Sequence, residues 1–273
     1  MNIIPKFMYG TAWKEGRTSS LVTTALNAGF REFDTANQRK HYFEAGMGEA
    51  IQAAIVAGQV YREELFIQTK FTYQRGQDHR LPYDPAASLS KQVEQSFASS
   101  LEHLHTDYVD AYILHGPVAQ RDIYPEDKEV WRAMELLHDQ KIARTLGVSN
   151  VSLQQLELLF EFAKVKPKFV QNRCYAVTRW DSDVRRFCKK NDIIYQGFSL
   201  LTANQQVLTS GAIVKLAEKY KTGAEQIVFR FAQQIGMCPL TGTSNSEHMK
   251  ADLASAQFSL TAAEMTVVEN TGV

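Results

Sequence analysis

Three ionisable residues close three successive short apolar runs: Asp34 follows Phe33, Lys70 ends Phe66-Ile67-Gln68-Thr69-Lys70, and His115 ends Val109-Asp110-Ala111-Tyr112-Ile113-Leu114-His115. A carboxylate directly after an apolar run is poorly placed unless a cation lies nearby. If the runs are neighbouring parallel strands, a carboxylate, an ammonium and an imidazole converge, a set equipped to hold and move protons. Each residue alone also reads as a solvated or incidentally paired rim residue. Three on consecutive strand ends are harder to reach by accident. A barrel hydrolase or aldolase working through Lys70 is one reading of the set, and it requires no nucleotide.

Such a set needs parallel strands to present it. Eight apolar or β-branched runs (8–12, 31–34, 65–70, 108–115, 144–149, 168–172, 193–197 and 237–240) alternate with amphipathic segments at 19–28, 44–56, 88–104, 128–140, 153–164, 182–190, 224–234 and 247–254. Strict alternation implies a parallel sheet with helices outside. Eight units in 273 residues suit a closed α/β barrel, the (β/α)8 TIM barrel, as a single domain over residues 1–273. Chemistry in that architecture sits at the C-terminal ends of the strands. Asp84-Pro85 reads as an N-cap followed by a helix-starting proline. Ser152 with Gln155, and Thr261 with Glu264, read as capping boxes. The stretch 71–83 is too long for a routine connection and reads as a functional loop.

Composition narrows the classes. Thirty Lys+Arg against 30 Asp+Glu leave no net charge, which argues against coating nucleic acid or an anionic membrane. A 44% hydrophobic content excludes wholesale disorder. No apolar run approaches the ~18 residues of a membrane span, and no apolar stretch after a basic start suggests a signal peptide. Cys174, Cys188 and Cys238 form no CxxC pair. That fits a reducing compartment, with neither a disulfide framework nor a zinc site. The expectation is a cytoplasmic protein without a metal.

Ordered blocks along the chain then resemble the aldo-keto reductase superfamily. They are Gly10-Thr11-Ala12-Trp13, Phe33-Asp34-Thr35-Ala36, Phe66 to Lys70, Asp110 to Pro117, Leu146-Gly147-Val148-Ser149-Asn150, Val170-Gln171-Asn172, Phe198-Ser199-Leu200-Leu201 and Pro239-Leu240-Thr241-Gly242-Thr243. The resemblance implies reduction of aldehydes and ketones with a nicotinamide cofactor, using an Asp, a Tyr, a Lys and a His. Asp34, Lys70 and His115 match three of these. The tyrosine departs: the family pattern places it five residues after the aspartate, where this chain has Arg39. Counting back from the helix marked by Glu44 leads to Tyr42, three residues late, as the general acid, with His41 as the substitute donor. A lysine beside the phenol would stabilise its anion, and Arg39, Lys40 and His41 would lower its pKa further, bind an anionic substrate, or simply be solvated.

The same resemblance implies a cofactor site. No Rossmann fingerprint is present, because Gly46-x-Gly48 lacks its third glycine at Ile51, and there is no phosphate-binding Walker loop. Thr11 and Ala12 fall in the first cofactor block. Ser149, Asn150 and Gln171 match carboxamide-binding positions, and Phe198 replaces a stacking tyrosine. Ser199, Leu200 and Leu201 would offer backbone N–H groups to the pyrophosphate, unless the leucines are core residues. At the ribose end, Leu240 stands where a lysine is usual in NADP-preferring members and His248 near an arginine. Thr241, Thr243 and Ser244 remain as donors, with Asp252 near the adenine. NADPH is expected on family habit, with NADH use open.

Trp13, Tyr73 and Pro117 are expected to wall the pocket for a small carbonyl substrate, Trp13 alternatively being a core residue. The family's long C-terminal lid is expected to be missing or replaced by 71–83. A monomer or weak dimer is expected. The rival from another class is a cofactor-binding regulatory subunit with negligible turnover, as in potassium-channel subunits of this type.

Overall fold

The computed structural model describes residues 4–272. The chain alternates strand and helix through β1 (Met8–Gly10), α1 (Thr18–Ala28), β2 (Glu32–Asp34), α2 (Glu44–Val56), β3 (Phe66–Phe71) and α3 (Leu89–Leu104). It continues as β4 (Ala111–Leu114), α4 (Pro125–Asp139), β5 (Leu146–Ser149), α5 (Leu153–Phe162), β6 (Phe169–Arg173) and α6 (Ser182–Lys190). After β7 (Ile194–Phe198) come three helices, α7 (Gln205–Leu208), α8 (Gly211–Tyr220) and α9 (Ala224–Gln234). The described chain ends with β8 (Cys238–Thr241), α10 (Ser246–Ala254) and α11 (Ala262–Asn270). All eight strands are parallel and close in sequence order, β1 pairing with both β2 and β8.

Most helices lie where their apolar period puts them. The short α7 is one addition, and the larger exception is α8, a second helix in a row that breaks the one-strand, one-helix rhythm. It buries Ile213 and Leu216, and its N-cap Ser210 accepts from the Ile213 N–H at 3.3 Å. Both expected capping boxes form. Asp84 does not cap α3: its carboxylate accepts from the Ala86 N–H within a turn at 2.9 Å, and Ser88 caps the helix instead. Helices α2 and α3 touch backbone to backbone, since a Cβ at Gly48 would collide with the His103 carbonyl and lie 2.8 Å from Leu104 Cα.

Strand register sets the polar layer. Gly10 pairs with Asp34, Asp34 with Gln68, Ser149 with Gln171, and Gln171 with Gln196. Met8, Phe66, Ala111, Ile113, Phe169, Cys238 and Leu240 fill the rest of the barrel interior. Outward residues such as Phe33, Ile67, Tyr112, Val148 and Val170 form the larger core under the helices, each worth about 1.5–3 kcal/mol when fully buried. All three cysteines are free and buried. Among the described residues no helix is long and apolar enough to cross a membrane.

Candidate active site

The ends of β2 and β3 carry a buried ion pair. Lys70 Nζ donates to Asp34 Oδ1 at 2.6 Å and to the Thr35 carbonyl at 2.8 Å, with Lys70 fully buried and Asp34 3% exposed. Burial pushes the ammonium's pKa down, and the Asp34 charge opposes that shift. Asp34 Oδ1 also accepts from the amides of Gln68 (2.7 Å) and Gln171 (3.0 Å). Gln196 completes the cluster, accepting from both glutamines and donating back to Gln68 Oε1 at 2.9 Å. Gln68 and Gln196 escaped the sequence reading. The available signal was an amide in mid-strand, which once turned inward must find partners.

Tyr42 lies in the β2–α2 connection. The N–H groups of His41 and Tyr42 both donate to the Gln38 carbonyl at 3.0 Å, so the extra residues are taken up in a tight turn. The phenol ring centroid sits 5.3 Å from Lys70 Nζ and 6.0 Å from the His115 ring, which meets it edge-on at 69°. The structure therefore brings Asp34, Tyr42, Lys70 and His115 together. The expected lowering of the tyrosine's pKa is not what the site does: burial, with the Asp34 charge second, pushes the phenol up. It stays protonated.

His115 follows β4 directly. Its N–H donates to the Phe71 carbonyl at 2.9 Å, and its carbonyl accepts from Asn150 Nδ2 at 2.8 Å. Burial, with the Lys70 and His41 charges adding to it, pushes the imidazole down to about 3, so it is neutral.

Asp34, Tyr42 and His115 border one end of a cavity of about 880 Å³ that passes Ser149, Asn150, Gln171 and Phe198 and reaches Thr241, Thr243, His248 and Asp252, with Lys70 buried behind them. Ala12, Trp13, Ser199, Leu200, Leu201 and Leu240 also line it. Four expected contacts lie elsewhere. Thr11 is fully buried, with both its hydroxyl and its N–H on the Asp34 carbonyl at 3.0 Å. Ser244 is exposed and outside the cavity. Tyr73 and Pro117 border a separate cleft of about 580 Å³, which shares Gln38, His115 and Asn150 with the main cavity. The Tyr73 hydroxyl is tied to Asp127 of α4 at 2.9 Å, a partner far away in sequence. Trp13 is 65% exposed and stacks on His41 at 3.8 Å between ring centroids, so it is a wall and not a core residue.

The walls change character along the cavity. The donors of the first stretch are already engaged: Ser149 Oγ donates to the Gln171 carbonyl at 2.6 Å, Asn150 Nδ2 to His115, and Gln171 Nε2 to Asp34. Acceptors remain there, namely Gln171 Oε1 and Asn150 Oδ1. Ser199 then turns left-handed at φ 57°, after which the N–H groups of Leu200, Leu201 and Thr202 make no hydrogen bond among the described residues. Free backbone N–H groups at such a turn form an anion cradle. Acceptors followed by donors suit a carboxamide NH2 followed by a pyrophosphate, so the residues present fit an extended nicotinamide dinucleotide.

The far end is less cationic than a phosphate site would suggest. Leu240 belongs to the barrel interior and is 8% exposed. Asp252 accepts from Gln226 Nε2 at 3.1 Å and Thr241 Oγ1 at 2.8 Å, and burial pushes its carboxyl up to about 6. Lys14, missed in the sequence, lines this part and donates to the Gly242 carbonyl, tying the segment after β1 to the one after β8. Its signal was a cation directly after Trp13.

Comparison with known proteins gives a consistent result. The model of the Aldo/keto reductase family matches residues 10–271. A family 1 aldo-keto reductase of Equus caballus is 29% identical, over 97% of this chain and 87% of that protein. Among solved structures, an aldo-keto reductase enzyme from a Medee basin deep-sea metagenome library superposes with a TM-score of 0.85 at 25% identity, covering 99% of this chain and 93% of that one. An aldo-keto reductase of Bombyx mori in complex with NADP superposes at 0.82, also at 25% identity, covering 98% and 89%.

Proposed function

Because the chain belongs to the aldo/keto reductase family and is an oxidoreductase acting on carbonyls, we propose that it reduces aldehydes and ketones to alcohols with NADPH, Tyr42 supplying the proton. The observation that carries this reading is the phenol ring 5.3 Å from the Lys70 ammonium, at the end of the long cavity. When bound, the nicotinamide supplies a hydride to the carbonyl carbon. Gln171 Oε1 and Asn150 Oδ1 would hold its carboxamide, and the N–H groups of Leu200, Leu201 and Thr202 would hold the pyrophosphate.

The protein's part is to place a proton on the carbonyl oxygen as that oxygen gains negative charge. Tyr42 is kept protonated by burial, as a donor must be before transfer. An alkoxide is a stronger base than a phenolate, so the proton moves downhill once hydride has been accepted. Lys70 faces the phenolate left behind and lowers its energy. Asp34 keeps the ammonium charged and in place through the 2.6 Å contact. His115, neutral and edge-on to Tyr42, orients the carbonyl oxygen.

The test is consumption of NADPH with a panel of aromatic aldehydes, followed by loss of the reduced-nicotinamide absorbance. Tyr42→Phe is expected to lower turnover by about 10²–10⁴-fold while leaving cofactor affinity, read from quenching of tryptophan fluorescence, nearly unchanged. Retained turnover would move the acid elsewhere, His41 first. Tight cofactor binding without turnover in the unaltered protein would favour a regulatory subunit instead.

A further inference from the structure

We infer that Thr72 is a positioning residue whose hydroxyl donates to His115 Nδ1 and so fixes the imidazole as the tautomer bearing its proton on Nε2. The use made of that proton rests on the reductase reading; the tautomer itself does not. Thr72 Oγ1 lies 2.7 Å from Nδ1, and Thr72 is only 6% exposed.

The distance alone suits either direction, and the surroundings decide between them. If Nδ1 carried the proton, Thr72 would accept, and its own hydroxyl hydrogen would need another acceptor. Thr72 Oγ1 makes no second hydrogen bond among the described residues. Thr72 borders the cleft of Tyr73 and Pro117, but at 6% exposure it offers its hydroxyl hydrogen little solvent, and a donor left unpaired there is unfavourable. Donation to the Nδ1 lone pair satisfies both groups.

The hydroxyl has little freedom to turn away. A β-branched side chain is stiff at χ1, and Gly76 packs on its methyl, where a Cβ would stand 2.7 Å from Thr72 Cγ2. With the methyl against Gly76, the hydroxyl faces the imidazole. The main chain of His115 is held from both sides, by the Phe71 carbonyl and by Asn150 Nδ2. Nε2 makes no hydrogen bond among the described residues, and the ring lines the cavity beside Tyr42. A proton on Nε2 donates to a carbonyl oxygen, whereas the other tautomer would present a lone pair to it. A neutral imidazole orients a carbonyl in only one of its two forms, and Thr72 selects that form.

The experiment compares Thr72→Val, nearly isosteric but without the hydroxyl, with Thr72→Ser. In histidine-labelled protein, long-range nitrogen–proton NMR, assigned against His115→Asn, reads the tautomer directly. The unaltered protein and Thr72→Ser are expected to show the proton on Nε2, and Thr72→Val to lose that preference. Carbonyl reduction is expected to fall about 10–100-fold in kcat for Thr72→Val, with cofactor affinity unchanged, and to recover largely in Thr72→Ser. A proton on Nδ1 in the unaltered protein, an unchanged tautomer in Thr72→Val, or a serine variant no better than valine would overturn the inference. Because the spectrum needs no turnover, a chain that reduced no carbonyl would sink the reductase reading and still leave the tautomer decided.

Discussion

The two ends of the cavity are built on different principles. At the β2–β4 end, polar side chains stand on strand ends and are held by other side chains. Lys70 is fully buried against Asp34, and Asp34 is gripped by two glutamines as well. At the far end Asp252 is buried and held by Thr241 and Gln226, but Thr243 and His248 hang from a loop and a helix start, half-exposed or exposed. Proton transfer loses rate steeply when groups are misplaced by an ångström, so the reacting end must be rigid. Binding a cofactor's distal part tolerates variation, and there Leu240 and His248 depart from the residues that the family resemblance leads one to expect.

The sharpest way to break this contrast is to make the same substitution at both ends. Lys70→Met leaves Asp34 buried without its cation, and removing one partner of a buried pair costs about 3–5 kcal/mol, moderated here by the Gln68 and Gln171 amides. Thermal denaturation should show a large drop, and carbonyl reduction should fall below detection. Lys14→Met removes an ammonium that faces a backbone carbonyl and no carboxylate among the described residues. Its stability should change little, the loss appearing in cofactor affinity. Equal destabilisation by the two variants would erase the distinction.

How far the sequence could be read follows the same division. Asp34, Lys70 and His115 were legible because an apolar run makes a strand, and a strand of a barrel delivers its last residue to the rim. Tyr42 could be placed by counting back from Glu44. The turn that brings it there depends on contacts remote in sequence, such as Gln38 Nε2 on the Gly76 carbonyl at 2.7 Å. Thr11 was misassigned because side chains alternate in facing: Gly10 and Ala12 line the cavity and Thr11 turns away. Gln68 and Gln196 were invisible for a related reason, since only closure of the barrel sets Gln196 against Gln68 and turns the Gln68 amide onto Asp34. Tyr73 was assigned by proximity to Lys70, while its partner Asp127 sits on a helix whose packing no local pattern reveals.

The far end can be sharpened toward the reacting end by giving it fixed charges. Leu240→Lys with His248→Arg adds two cations beside the cavity, and Arg is the preferred partner of a phosphate. The affinity ratio of NADPH over NADH, from fluorescence titration, should rise by about 10-fold, equivalent to about 1.4 kcal/mol, and the gain should shrink at high salt. Because Leu240 also packs in the barrel interior, some stability will be lost. An unchanged ratio would mean that the ribose end lies elsewhere.

The smallest effect expected is also the most specific to the far end. Burial raises the Asp252 carboxyl from 3.8 to about 6. Protonation is thus favoured in the folded state, and the stability this group contributes is full below the unfolded value and lost as pH rises through about 6. Above that range Asp252 carries a negative charge at the end of the cavity proposed for the distal part of an anionic dinucleotide. Affinity for NAD+ should therefore weaken a few-fold between about pH 5 and about pH 7.5, a window set by that shift. NAD+ is the right probe because a ribose phosphate would itself titrate near 6. Asp252→Asn should flatten the slope, and it should gain most in melting temperature, relative to the unaltered protein, at the higher pH. A variant that keeps the original slope would assign the titration to another group, and the two ends would then differ in rigidity alone.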